Sequence, residues 1–108
     1  MDTKKIINEL YFCAAQCMHC YDGCQMEKEK SELERCMMFD KDCEEICRLT
    51  AQLLERNSEN AEYFLKLCAE MCERCAAECE KHNHEHCKKC TEACRKCADT
   101  CNSYQPVN

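Results

Sequence analysis

Sixteen cysteines stand in this 108-residue chain, and their spacing is regular. Cys13, Cys17, Cys20 and Cys24 are separated by steps of four, three and four residues, and Cys68, Cys72, Cys75 and Cys79 repeat those steps. Cys36, Cys43 and Cys47 keep the same register, with Asp40 in the slot of the missing member. Cys87, Cys90, Cys94, Cys97 and Cys101 extend it in alternating steps of three and four. Residues three or four apart on a helix have Cβ atoms about 5–6 Å apart, whereas a disulfide wants roughly 3.5–4.5 Å. A bridging metal fits better: at about 2.3 Å per metal–sulfur bond, two sulfurs about 4.5 Å apart hold one ion. Each Cys-x-x-x-Cys or Cys-x-x-Cys step is then a two-sulfur clamp, and soft thiolates select copper(I), zinc or iron–sulfur clusters.

Charge balance helps to choose among these. A copper(I) ion on two unshared thiolates is a net anion, and a stack of such units in a water-poor core is costly. If each thiolate bridges two ions the assembly is neutral, so copper(I) is expected in number on the order of the sixteen cysteines. Zinc wants separate tetrahedral four-thiolate cages, to which continuous stripes are poorly suited. Ferredoxin-type ligation needs consecutive two-residue gaps and a Cys-Pro, and the chain has neither. A carboxylate di-iron bundle needs Glu-x-x-His, a step that does not occur. Buried cysteine also serves as a small hydrophobe, but not for almost every inward position over three turns. Such a core has little apolar volume and is expected to be loose or hollow without metal.

The elements that position these residues follow from composition. One glycine and one proline, among abundant Glu, Lys, Ala, Leu, Met and Arg, leave an all-α chain with no strands. Four helices are expected over residues 3–27, 32–56, 59–80 and 84–103. Asp2 or Thr3 would cap the first, Ser31-Glu32-Leu33-Glu34 reads as a capping box, Asn57-Ser58 would start the third and Asn83 would cap the fourth. Short links favour an antiparallel up-down-up-down four-helix bundle, a single domain over 1–108. At 100° per residue the cysteines of helix one span an arc of roughly 60°, so four stripes line one common core.

The same projection separates the two ends. Ile6, Leu10, Thr50, Ala51, Leu54, Ala61, Phe64, Leu65 and Tyr104 converge at one end as an apolar plug. Met26, Asp40 and His82-Asn83-His84-Glu85-His86 gather at the other, which reads as a metal mouth. Asp40, His82, His84 and His86 are the candidate residues for metal entrance, since imidazole and carboxylate ligate copper at such a site. Met18, Met37, Met38 and Met71 lie off the stripes and read as packing, and His19 as a surface residue. Helix one carries a second apolar face of Ile7, Tyr11, Ala14, Met18 and Tyr21, which calls for a partner copy and a homo-oligomer.

A net charge of −6 with signs interspersed offers no basic stripe for nucleic acid. No apolar run approaches the roughly 20 residues of a membrane span. The first nine residues lack a secretory pattern, so the chain reads as cytoplasmic, where thiols stay reduced and dense cysteine means metal more than disulfide.

Taken together, Cys13-x3-Cys17-x2-Cys20-x3-Cys24, Cys36-x6-Cys43-x3-Cys47, Cys68-x3-Cys72-x2-Cys75-x3-Cys79 and His82-Asn83-His84-Glu85-His86-Cys87-x2-Cys90 resemble the four-helix-bundle copper storage proteins over essentially the whole chain. The histidine-rich turn is similar to that of the family's cytosolic branch. The resemblance implies a non-enzymatic store that binds many copper(I) ions along the bundle interior, admits them at a polar end and forms tetramers. A metallothionein-like sink for zinc or cadmium, and a thiol redox buffer, are the alternatives.

Overall fold

Alternating steps of three and four put one stripe of each helix toward a shared axis, and the chain packs around it as an antiparallel bundle. The structure, a computed structural model, describes residues 3–104. Its helices are α1 (Thr3–Gln25), α2 (Glu34–Glu55), α3 (Ala61–Cys79) and α4 (Glu85–Asn102). Backbones approach closely between α1 and α2, α2 and α3, α3 and α4, and α4 and α1, but not across either diagonal. The bundle is therefore square in section, and its axis is free for a column of side chains. It is long and slender, 51 × 19 × 18 Å.

The helix ends differ from expectation in informative ways. Ser31 to Glu34 does not form a capping box. Lys30–Leu33 is a 3₁₀ turn, and α2 begins behind Leu33 with no side-chain cap. The turn buries Leu33 to 1% exposure, and full burial of a leucine is worth about 1.5–3 kcal/mol against about 1 kcal/mol for a cap. Burial wins. Asn57 ends α2 and does not start α3. It sits at φ 53°, with Asn57 N–H donating to the Leu54 carbonyl at 3.1 Å and Ser58 N–H to that of Leu53 at 2.9 Å. These are the paired bonds of a Schellman motif, whose left-handed residue is usually glycine or asparagine. Nor does Asn83 cap α4: the cap position is His84 in extended conformation, again without a side-chain bond. Of the two residues expected to cap α1, Thr3 is its first helical residue and Asp2 lies outside the described residues.

The plug forms as expected. Ile6, Leu10, Ala51, Leu54, Ala61 and Leu65 are buried, joined by Leu53, with Phe64 and Tyr104 packed against them. Thr50 is buried too, its hydroxyl donating to the Ile46 carbonyl at 2.7 Å. On α4, Lys88, Lys89, Glu92, Lys96 and Asp99 are all exposed.

Candidate metal centre

All sixteen cysteines are buried free thiols. Every helix contributes, so each sulfur meets sulfurs from its neighbours. Cross-helix approaches include Cys36 to Cys79 at 3.4 Å, Cys43 to Cys72 at 3.5 Å, Cys47 to Cys68 at 3.6 Å and Cys17 to Cys94 at 3.7 Å. Along single helices the close approaches are four-residue steps: Cys90 to Cys94 at 3.8 Å, Cys68 to Cys72 at 3.9 Å, Cys43 to Cys47 at 4.0 Å and Cys75 to Cys79 at 4.0 Å. The seam is thus neither hollow nor loose, contrary to expectation. Its thiols touch.

These distances also refine the clamp. With metal–sulfur bonds of about 2.3 Å, two sulfurs flank an ion linearly at about 4.6 Å and trigonally at about 4.0 Å. The spacing found is nearer the trigonal one, which calls for sulfurs from more than one helix around each ion.

Potential ligand sets form a ladder. From the plug outward they include Cys13, Cys47, Cys72 and Cys97, then Cys13, Cys17, Cys43 and Cys94, then Cys17, Cys75, Cys90 and Cys94. Nearer the mouth come Cys20, Asp40, Cys79 and Cys90, and finally Cys20, Cys24, His86 and Cys87. Within each set the ligand atoms lie within 4.8 Å of one another. Successive sets share Cys13, then Cys17 and Cys94, then Cys90, then Cys20, so the ligands are held in common along the axis. Such sharing is what neutral copper(I) thiolate chemistry needs.

The thiols titrate as a linked system. Cys13, Cys68 and Cys90 are pulled well below the ordinary thiol value by hydrogen bonding with neighbouring thiols, led by Cys17, Cys101 and Cys17 respectively. Their neighbours hold protons in return: Cys17 and Cys94 are pushed up, in each case first by Cys13. At the mouth, burial pushes the Cys24 thiol up, with the charges of Cys36, Cys87 and Asp40 adding to it. A thiophilic cation replaces these shared protons.

Asp40 is not at the rim. It is fully buried in the column, with Oδ1 accepting from Cys90, Cys75 and Cys79 at 3.3, 3.4 and 3.5 Å. Burial above all pushes its carboxyl up to about 10. It holds its proton at neutral pH, one ligand set beneath the mouth.

The three histidines part company. His86 alone meets the sulfurs, its Nδ1 3.5 Å from Cys87 Sγ and 4.0 Å from Cys24 Sγ. His84 stacks on it with ring centroids 5.2 Å apart, and its two nitrogens face Glu27 at 3.2 Å and Glu29 at 2.8 Å. His82 is tied to Glu78 at 3.1 Å on α3, where Lys81 and Arg35 join the same carboxylate. Burial alone would raise Glu78, but His82 and Lys81 outweigh it and lower its pKa. Met26 and Met38 are exposed, Met37 is buried and Met18 and Met71 lie between, while His19 is on the surface as expected. Glu27, Glu29 and Glu78 were not legible as mouth residues, because nothing in their own spacing ties them to the histidines. The lone glycine, Gly23, was a signal passed over.

Comparison with known proteins agrees with this geometry. A family model described as copper storage protein matches residues 1–106. Over 61 residues the chain is 37% identical to the uncharacterized cysteine-rich protein YhjQ of Bacillus subtilis, a match spanning 56% of this chain and 56% of that relative. Among solved structures, the Cu(I)-bound copper storage protein BsCsp3 superposes with a TM-score of 0.90 at 35% identity, covering 94% of this chain and 95% of that one. The metal-free copper storage protein 3 of Bacillus subtilis gives 0.89 at 34%, covering 94% and 97%. A cytosolic copper storage protein of Streptomyces lividans carrying five coppers gives 0.89 at 36%, covering 93% and 88%.

Proposed function

This chain belongs to the copper storage protein family, and on that premise we propose that it is a non-enzymatic copper(I) store. One observation carries the reading: the ligand sets between the plug and the mouth overlap, each sharing a residue with the next. An ion held in one set has sulfurs in common with its neighbour, so ions fill a column in number on the order of the sixteen cysteines. The ligands proposed are the sixteen cysteines, with His86 at the entrance and Asp40 one set beneath it. His84 serves the entrance through carboxylates and not as a first ligand, while His82 stays tied to α3 away from the sulfurs. The support is their partners, Glu27, Glu29 and Glu78.

The wider role is read in the same way. One bundle domain spans residues 1–108. We read it as a cytoplasmic protein; its likeness to a cytosolic copper storage protein of Streptomyces lividans supports this, and among the described residues no helix is long and apolar enough to cross a membrane. Of the expected second face of helix one, Ala14 is buried in the bundle's own core, while Ile7, Tyr11, Met18 and Tyr21 keep part of their surface exposed along α1. They support a homo-oligomer through that helix, a tetramer by family resemblance, which sedimentation of the metal-free protein would reveal as a mass above 12.7 kDa.

Anaerobic titration with copper(I) against a competing chelator, with thiol counting in parallel, tests the store. Copper(I) is expected to continue binding well past four equivalents with all thiols reduced. Zinc, which takes four thiolates per ion, would stop near four. Saturation by copper at four or fewer ions would favour the zinc or cadmium sink. Oxidised thiols in freshly isolated protein would favour the redox buffer.

A further inference from the structure

The only glycine in the chain lies in the last turn of α1, where its carbonyl accepts from Met26 N–H at 3.1 Å. Its backbone dihedrals are not left-handed, so conformational freedom does not explain it. Space does. A Cβ built on Gly23 would lie 2.5 Å from Cδ2, 2.6 Å from Cγ and 2.9 Å from Nε2 of His86. The imidazole of α4 therefore rests on the bare backbone of α1, in a slot that no other residue type leaves open.

Just past the end of α1, Glu27 Oε2 stands 2.9 Å from His86 Nε2. An ionised carboxylate only accepts hydrogen bonds, so Nε2 carries the proton and donates. The lone pair of the neutral ring is then on Nδ1, the nitrogen that faces Cys87 and Cys24. His84 stacks on the ring, with its Nδ1 3.2 Å from the same carboxylate oxygen. Slot, carboxylate and stacked ring together leave His86 one orientation and one tautomer.

We infer that Gly23 and Glu27 are positioning residues that aim His86 Nδ1 at the outermost thiol pair, so that the first ion to arrive meets a finished nitrogen and sulfur site. This rests on the reading of His86 as the entrance ligand. Carboxylates that accept from the distal nitrogen of a ligating histidine fix its tautomer and raise its basicity, and their loss costs about 10-fold or more in metal binding.

The test uses the full chain with Gly23→Ala, Glu27→Ala, Glu27→Gln and His86→Ala. Copper(I) transfer from its bicinchoninate complex is followed by stopped flow, and nitrogen-15 shifts of the His86 ring report the tautomer. Wild type is expected to show Nε2–H. Gly23→Ala and Glu27→Ala are expected to mix the tautomers and slow loading by about 10-fold, toward the His86→Ala rate. Glu27→Gln, whose amide oxygen still accepts, is expected to keep both tautomer and rate. Wild-type tautomer and rate in Gly23→Ala and Glu27→Ala, beside a slow His86→Ala, would overturn the inference. If His86→Ala loads at the wild-type rate, the entrance reading fails instead, and the ring shifts still decide whether the cradle sets the tautomer.

Discussion

The two ends of the bundle are built from different chemistry. At the closed end, Ile6, Leu10, Leu54 and Leu65 bury branched apolar side chains from three helices. At the mouth, imidazoles and carboxylates satisfy one another at 2.8 to 3.2 Å over buried thiols, with Leu33 the one large apolar side chain drawn in by the 3₁₀ turn. The closed end gains its free energy from apolar burial and needs no ion. The mouth is held by polar bonds that leave His86 Nδ1 turned toward the thiols. Stability and metal traffic are thus separated along one axis, with the thiol column between them.

The sharpest way to break that separation is in the plug. Leu65→Ala removes a buried leucine side chain, and urea unfolding of the metal-free protein is expected to show a loss of about 2–5 kcal/mol. Copper capacity should be unchanged. A lower capacity would mean that the plug shapes the column as well as anchoring it.

Asp40 probes the column itself. Its carboxyl is raised from 3.8 to about 10, so between those values the folded state keeps a proton that the unfolded state has lost. Its contribution is then fully present below about pH 4 and declines as pH rises toward 10. Asp40→Asn removes the liability while keeping shape and acceptor. Relative to wild type, the metal-free variant is expected to gain stability progressively with pH, by at most about 4 kcal/mol at pH 7. Denaturation at pH 5 and pH 8 would check it, and an equal difference at both would remove the buried-proton account.

Smaller effects sit at the links. Asn57 holds the left-handed position that closes α2 at the plug end. Asn57→Ala is expected to cost about 1 kcal/mol and Asn57→Gly almost nothing, read as a shift in thermal midpoint. At the mouth, His82 is held by Glu78 and does not face the sulfurs. His82→Ala should leave the copper loading rate as it is, whereas a rate falling with that of His86→Ala would widen the entrance to both residues.

Most of the column was legible because it follows from periodicity. Steps of three and four allow one helical face, and the apolar residues continuing those stripes name the plug. What stayed hidden depends on where backbones meet. Ser31 to Glu34 has the residues of a capping box, yet burial of Leu33 outweighs it. Asn57 can start a helix or end one, and only its positive φ decides. Asp40 fell in the right stripe, but its depth appears only once Cys24, Cys87 and His86 close over it. Gly23 and Glu27 matter through a ring on the far end of the chain, which no local pattern announces.

The overlapping column is tested most directly by locating copper in crystals of the fully loaded protein, from anomalous scattering on either side of the copper absorption edge. The expected result is a row of ions along the bundle axis, from Cys97 and Cys68 to His86, joined through shared sulfurs and numbering close to the sixteen cysteines. Four or fewer ions in separate four-sulfur cages, with the sulfurs between them unligated, would contradict it.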